Sequence, residues 1–293
     1  MQKIVPHLWF DTQAVEAATL YVSLFENSCI NSVSQLHNTP SGDVDTVDFE
    51  LDGVRFSAIS AGPDFAFTPA VSLMVTCRSA EGVDRLYDGL KEGSTVLMPL
   101  SEYPFSKRFV WLADKYGLNW QFNFSDAGEI GQRIRPNLLF AGDVCGRAEE
   151  ALTFYQNVFP GSAAGFVSRY QPGEAKNNCA KVNYAESTLL GFPFVAMDHG
   201  AGGKEAFNEA FSFMVLCKNQ AEIDAYWQKL SAVPEAEQCG WLKDKFGVSW
   251  QIVPENLGRM LATASPEEAS HITQAFLSMK KLDIAALEKA RLG

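Results

Sequence analysis

Two hydrophobic periods follow one another along the chain, and they do so in a fixed order. Residues 4–10 (IVPHLWF) alternate as a half-buried strand does, whereas 13–26 place Val15, Ala18, Tyr21, Val22 and Phe25 on one helical stripe. Alternation resumes over 45–51 and 54–60, on either side of Asp52-Gly53, a dipeptide suited to a tight hairpin. The pattern predicts a β-α-β-β-β module. Residues 71–77, 79–91, 95–100, 108–113 and 118–124 repeat the order, with the last hairpin closing at Asp114-Lys115-Tyr116-Gly117.

The whole arrangement then recurs. Residues 67–90 align without a gap on 207–230 with eight of 24 positions identical, among them Ser72/Ser212, Met74/Met214 and Cys77/Cys217. Residues 111–123 align on 241–253 with seven of 13 identical. Pro6, Tyr21, Phe25 and Ser28 correspond to Pro136, Tyr155, Phe159 and Ser162 after a four-residue insertion near Asp143 to Arg147. The chain is therefore one unit duplicated, with four modules in all. Its expected domains are 1–125 and 133–256, joined through the polar, glycine-bearing run Ser125 to Gln132. A helical tail, 257–293, follows. In it Ser265-Pro266-Glu267-Glu268 forms a capping box and Asp283 caps a second helix. The fold class is α+β, and the two halves are expected to pack as an intramolecular pseudo-dimer, with further oligomerisation left open.

Charge narrows the partners. With 24 Lys+Arg against 35 Asp+Glu the formal charge is -11, and no basic stripe interrupts it, which argues against nucleic acid and anionic membrane surfaces. No run approaches the roughly 20 apolar residues of a membrane helix, and Met1 leads into strand-like sequence rather than a signal segment, so a cytoplasmic location is expected. The six cysteines form no CxxC, which predicts reduced, mostly buried thiols. No glycine-rich turn stands between a strand and a helix, and no cofactor is expected.

Several strings carry a family resemblance: His7-Leu8-Trp9-Phe10-Asp11, Gly62-Pro63-Asp64-Phe65-Ala66-Phe67, the run from Cys239 to Gln251, and Met279 to Leu287. They resemble the PhnB-like family of the glyoxalase, or vicinal oxygen chelate, superfamily, whose members often bear the label 3-demethylubiquinone-9 3-methyltransferase. The resemblance implies tandem glyoxalase-fold domains, each of two βαβββ modules with curved mixed sheets, here followed by two C-terminal helices. It also implies a divalent metal held inside each cup. The corresponding positions are His7, Ser57, Ala70 and Gln121 in the first half and Asn137, Val195, Ala210 and Gln251 in the second. Only His7 is a good ligand, so no tightly held metal is expected.

Strand alternation turns Ala70, Ser72, Met74 and Gln121 toward the first cup and Trp120 and Phe122 toward the helices. The expected ligand-binding set is His7, Trp9, Phe65, Phe67, Ala70, Ser72, Met74 and Gln121, with Phe65 and Phe67 near the mouth. A weaker second cup takes Asn137, Ser212, Met214 and Gln251. His7 is the candidate catalytic residue, as base or ligand anchor, against the alternative of a histidine satisfied by a hydrogen bond. Asp114-Lys115 and Asp244-Lys245 fit tight turns, and Asp198-His199 fits a loop pair better than a carboxylate-oriented imidazole. Small-molecule binding without a tightly held metal is the leading function. A metal-dependent lyase, isomerase or dioxygenase is the alternative. Methyl transfer by label alone, or a structural role for one half, comes third.

Overall fold

The computed structural model describes residues 2–126 and 131–292. Residues 127–130, in the middle of the expected linker, lie outside the described residues. The first module runs β1 (Ile4–Phe10), α1 (Ala14–Leu24), β2 (Cys29–Thr39), β3 (Gly42–Leu51) and β4 (Val54–Ser60). The second runs β5 (Val71–Cys77), α2 (Ala80–Leu90), β6 (Thr95–Tyr103), β7 (Ser106–Ala113) and β8 (Asn119–Phe124). In the third are β9 (Ile134–Phe140), α3 (Ala148–Val158), β10 (Ala163–Arg169), β11 (Val182–Leu189) and β12 (Phe192–Asp198). The fourth has β13 (Phe211–Cys217), α4 (Gln220–Leu230), β14 (Trp241–Lys243) and β15 (Ser249–Pro254).

Local chemistry sets these boundaries. Asp52 and Gly53 both take positive φ, +49° and +75°, and so turn β3 into β4 with the hand a two-residue hairpin needs. Ser79 and Asn219 cap α2 and α4, each accepting a backbone N–H three residues on. Strand β2 was not resolved by the hydrophobic pattern. It is almost wholly exposed and polar, as an edge strand is.

The modules pair across the two halves. One sheet has the order β14-β15-β13-β1-β4-β3-β2 and joins the first module to the fourth; the other, β10-β11-β12-β9-β5-β8-β7-β6, joins the second to the third. The joints are antiparallel, β1 on β13 with His7 opposite Ser212, and β5 on β9 with Ser72 opposite Asn137. The α+β class and the mixed sheets follow the expectation. The sequence repeat and the sheets, however, do not share boundaries.

Helices α1 to α4 pack on the outer faces, over a core with Tyr21, Phe49, Trp120, Tyr155, Phe213 and Trp250 fully buried. Two buried carboxylates tie the halves of this core in the same way. Asp114 accepts from the Tyr21 hydroxyl at 2.6 Å, the Trp120 indole at 2.9 Å and the N–H groups of Tyr116 and Leu118. Asp244 does the same with Tyr155, Trp250, Phe246 and Val248. The turn reading of both aspartates holds, and each carboxylate also satisfies aromatic donors that burial would otherwise leave unpaired. Of the cysteines only Cys77 and Cys217 are buried, whereas Cys29 and Cys179 are exposed, so the expectation of mostly buried thiols is corrected.

The fourth module is short. Twenty residues separate Leu90 from Trp111, but ten separate Leu230 from Trp241, and among the described residues no strand equivalent to β6 forms there. The tail comes to this edge instead: Met279 and Lys280 carbonyls accept the N–H groups of Cys239 and Gly240, each at 2.7 Å. The described tail holds three helices rather than two, since a short α5 (Leu257–Ala262) precedes α6 (Pro266–Leu277) and α7 (Ile284–Arg291). The capping box at Ser265 and the Asp283 cap both form as read. Met260, Ile272, Leu282 and Leu287 of the tail bury against Val5, Leu216 and Val253 on the inner face of the first sheet. That face is therefore covered at one end by the chain itself.

Candidate functional site

Alternation along each strand decides which side chains turn inward. On β1, Ile4, Leu8 and Phe10 join the helix-side core, leaving Val5, His7 and Trp9 on the inner face. On β13 and β15, Phe213, Val215, Trp250 and Ile252 go outward, so Ser212, Met214, Ser249 and Gln251 join His7. A single polar chain results at the centre of the first sheet. Gln251 Nε2 donates to Ser212 Oγ at 3.0 Å, and the same oxygen lies 3.5 Å from His7 Nδ1. His7 is 7% exposed, and burial lowers its pKa from 6.5 to about 3, so the imidazole is neutral at physiological pH. Ser249 Oγ is buried with no partner among the described residues.

Aromatic rings close around this chain. Trp241 of β14 meets the His7 ring edge-on at 5.4 Å and Trp9 at 6.3 Å, and Phe65 meets Trp9 at 5.2 Å. Trp9 is anchored by its indole N–H, which donates to the Gly62 carbonyl at 2.8 Å. Also on β14, Lys243 forms an ion pair with Glu209 at 2.8 Å.

The second sheet carries a different inner face. Gln121 Nε2 donates to Ser72 Oγ at 2.9 Å, and Asn137 Nδ2 reaches the same oxygen at 3.4 Å, leaving the buried Asn137 Oδ1 unpartnered among the described residues. Arg135, where the first sheet has Val5, pairs with Glu186 at 2.7 Å, and Tyr184 donates to the same Glu186 oxygen. Trp111, the counterpart of Trp241, donates its indole N–H to Asn119 at 3.1 Å.

The structure thus divides the residues singled out by sequence between two faces. His7 and Trp9 stand with Ser212, Met214 and Gln251, while Ser72, Met74 and Gln121 stand with Asn137. The grouping expected within each half is replaced because strand alternation fixes a side chain's face but not its sheet. Ala70 belongs to the buried helix-side core, with its carbonyl accepting the Leu139 N–H. Phe65 does lie at the Trp9 mouth, but Phe67 turns to Phe10, 5.2 Å away, on the helix side. Asp198 and His199 do not form a couple. The Asp198 carboxylate accepts four backbone N–H groups, from Gly146, Ala148, Lys181 and Val182, and His199 Nδ1 accepts from Gly202 and Gly203. Trp241 and Ser249 lie outside the candidate site residues read from the sequence, although Trp111/Trp241 opens a repeated block and Asn119/Ser249 is a polar exchange within it.

A family model described as 3-demethylubiquinone-9 3-methyltransferase matches residues 2–123 and again 132–253. The chain belongs to that family. Both copies are nearly full repeats, which agrees with a tandem duplication of a PhnB-like unit. A Bacillus cereus protein described as a putative 3-demethylubiquinone-9 3-methyltransferase, PhnB protein, is 42% identical over 42% of this chain and 100% of its own, with a TM-score of 0.40. Glyoxalase I from Zea mays is 8% identical, covers 86% of this chain and 94% of its own, and has a TM-score of 0.53, a likeness of fold. No curated protein matches the chain.

The glyoxalase fold raises the question of a metal, and the donor set answers it poorly. With the observed pairing, the positions where the superfamily's ligands would stand are His7, Ser57, Ala210 and Gln251 on the first sheet and Asn137, Val195, Ala70 and Gln121 on the second. One imidazole with a hydroxyl and an amide is a weak set, and the second has no charged or imidazole donor at all. Among the described residues no three His, Cys, Asp or Glu side chains converge. These residues do not fit a tightly held divalent ion.

Proposed function

We propose that this family member binds a small organic molecule on the inner face of the first sheet, around His7, without a resident metal. One observation carries the reading: a buried chain of neutral polar groups, His7, Ser212 and Gln251, lies under Trp9 and Trp241 with the Ser249 hydroxyl unsatisfied beside it. Buried polar groups cost stability unless they are paired, and a few of them converging beneath aromatic side chains are the usual furniture of a ligand site. The second sheet also leaves Arg135 Nε and Asn137 Oδ1 buried without partners among the described residues, but it is the weaker candidate because its arginine pairs with Glu186, its tryptophan is tied to Asn119, and Leu139 stands where the first sheet has Trp9. Methyl transfer, the chemistry in the family's description, is not part of this reading. A donor site of the doubly wound type needs a glycine-rich turn between a strand and a helix, and the sequence shows no such unit. The same reading keeps the chain in a reducing, cytosolic compartment, which six unpaired cysteines support.

A thermal-shift screen of neutral small molecules tests the assignment. Hits should be lost in His7→Ala and Gln251→Ala and kept in Ser72→Ala and Gln121→Ala. The reverse pattern would move the site to the second sheet. One divalent ion per chain after tag-free purification, lost in His7→Ala, would favour the metal-dependent alternative instead.

A further inference from the structure

We infer that the ligand of the first sheet is a planar, uncharged molecule bearing a carbonyl-type oxygen, held jointly by the indole N–H of Trp241 and the imidazole N–H of His7. The inference rests on the reading of that face as the binding site. Its first support is a count of protons. Ser212 Oγ already accepts from Gln251, and its own proton has one acceptor in reach, His7 Nδ1 at 3.5 Å. If the hydroxyl donates to Nδ1, the neutral ring carries its proton on Nε2. Among the described residues Nε2 has no hydrogen-bond partner, so the site presents an N–H donor there.

A comparison inside the molecule gives the second support. Trp111 is tied by its indole N–H to Asn119 Oδ1, and Asn119 in turn donates to the Gly117 carbonyl. In the first sheet the asparagine is replaced by Ser249, whose shorter side chain leaves its own hydroxyl buried and unpartnered. The Trp241 indole N–H makes no hydrogen bond among the described residues, and the ring leans on His7 and Trp9 instead. One substitution has thus freed a donor beside a second donor. Two N–H donors on rings whose centroids lie 5.4 Å apart suit an oxygen acceptor.

Charge and shape narrow the class. An anion in so buried a place would need a countercharge, and the cations on the flanking strands β14 and β4 are already paired, Lys243 with Glu209 and Arg55 with Asp48. Trp9, Phe65 and Trp241 offer flat apolar surface, which a planar ring system covers best.

Coumarin, a flat lactone with one exposed carbonyl, and 2H-chromene, which lacks that oxygen, are suitable probes for the full chain. Binding is read by tryptophan fluorescence, and the indole N–H of Trp241 by two-dimensional nitrogen–proton NMR, assigned through its loss in Trp241→Phe. Coumarin should bind about tenfold more tightly than 2H-chromene and shift the Trp241 indole signal, an advantage that Trp241→Phe removes. Ser249→Asn, which restores the acceptor found in the second sheet, should weaken coumarin without destabilising the protein, and Trp111→Phe should leave it unchanged. Equal affinity for the two probes, unaltered by Trp241→Phe, would overturn the carbonyl assignment while the binding face stands. Binding of neither probe up to its solubility limit would overturn both.

Discussion

Replacing His7 by asparagine, the residue the duplicate carries at position 137, gives a direct measure of how deeply the first sheet buries its imidazole. Burial lowers the His7 pKa from 6.5 to about 3, so between these values the unfolded chain takes up a proton that the folded chain refuses. Stability is therefore full above pH 6.5 and is lost as the pH falls toward 3. Each pH unit inside this window costs about 1.4 kcal/mol, so the loss attributable to His7 is about 2 kcal/mol between pH 7 and pH 5 and about 4 kcal/mol by pH 3. Urea denaturation of the wild type and His7→Asn at pH 7 and pH 5 isolates the effect, because the other three histidines and all carboxylates are common to both proteins. The wild type should lose about 2 kcal/mol more than the variant over this interval. Asparagine can keep a contact with Ser212, as Asn137 does with Ser72, so the variant should fold. An identical loss in the two proteins would mean that His7 charges as readily in the native state as in the unfolded one. The neutral imidazole on which the site's chemistry is built would then be refuted.

Two further outcomes follow from the core and the sheet joints. Asp244→Ala should cost about 3–5 kcal/mol in thermal or urea denaturation, since it strands the Tyr155 and Trp250 donors in the core, each worth about 1–3 kcal/mol when unsatisfied. Asp244→Asn should cost less. Burial raises the Asp244 pKa, so ionisation of this group removes stability as the pH climbs from 3.8 through the folded value, and it does not drive acid unfolding. Residues 1–126 expressed alone would leave β1 without β13 and β5 without β9, two exposed inner strand edges. Sedimentation should show a self-associated species, and a stable monomer would contradict the importance of these joints.

The sequence disclosed the modules, because each rests on local periodicity and local turn chemistry: Asp52-Gly53, the Ser265 box and the strand alternation around His7 all formed as read. It concealed β2, whose residues Asn31, Ser32, Ser34, Gln35, His37 and Asn38 serve an exposed edge and carry no hydrophobic signal. Module pairing was hidden for a different reason. Two similar copies present similar edges, so Ser72 and Ser212, or Gln121 and Gln251, are equally good neighbours for His7 as far as alternation can tell. Yet the choice left a mark in the residues. Where the second sheet has Arg135, Thr76 and Asn123 joined in one polar group, the first has Val5, Leu216 and Val253, buried together under α5 to α7. Val5 lies in the first half of the chain and the other two lie in the second. A tail that follows the fourth module must bury apolar surface there, and a change at Val5 joins it only if the first module shares that face. Three repeat positions that are apolar together, split between the halves, therefore encode the pairing of first with fourth that strand alternation leaves undecided.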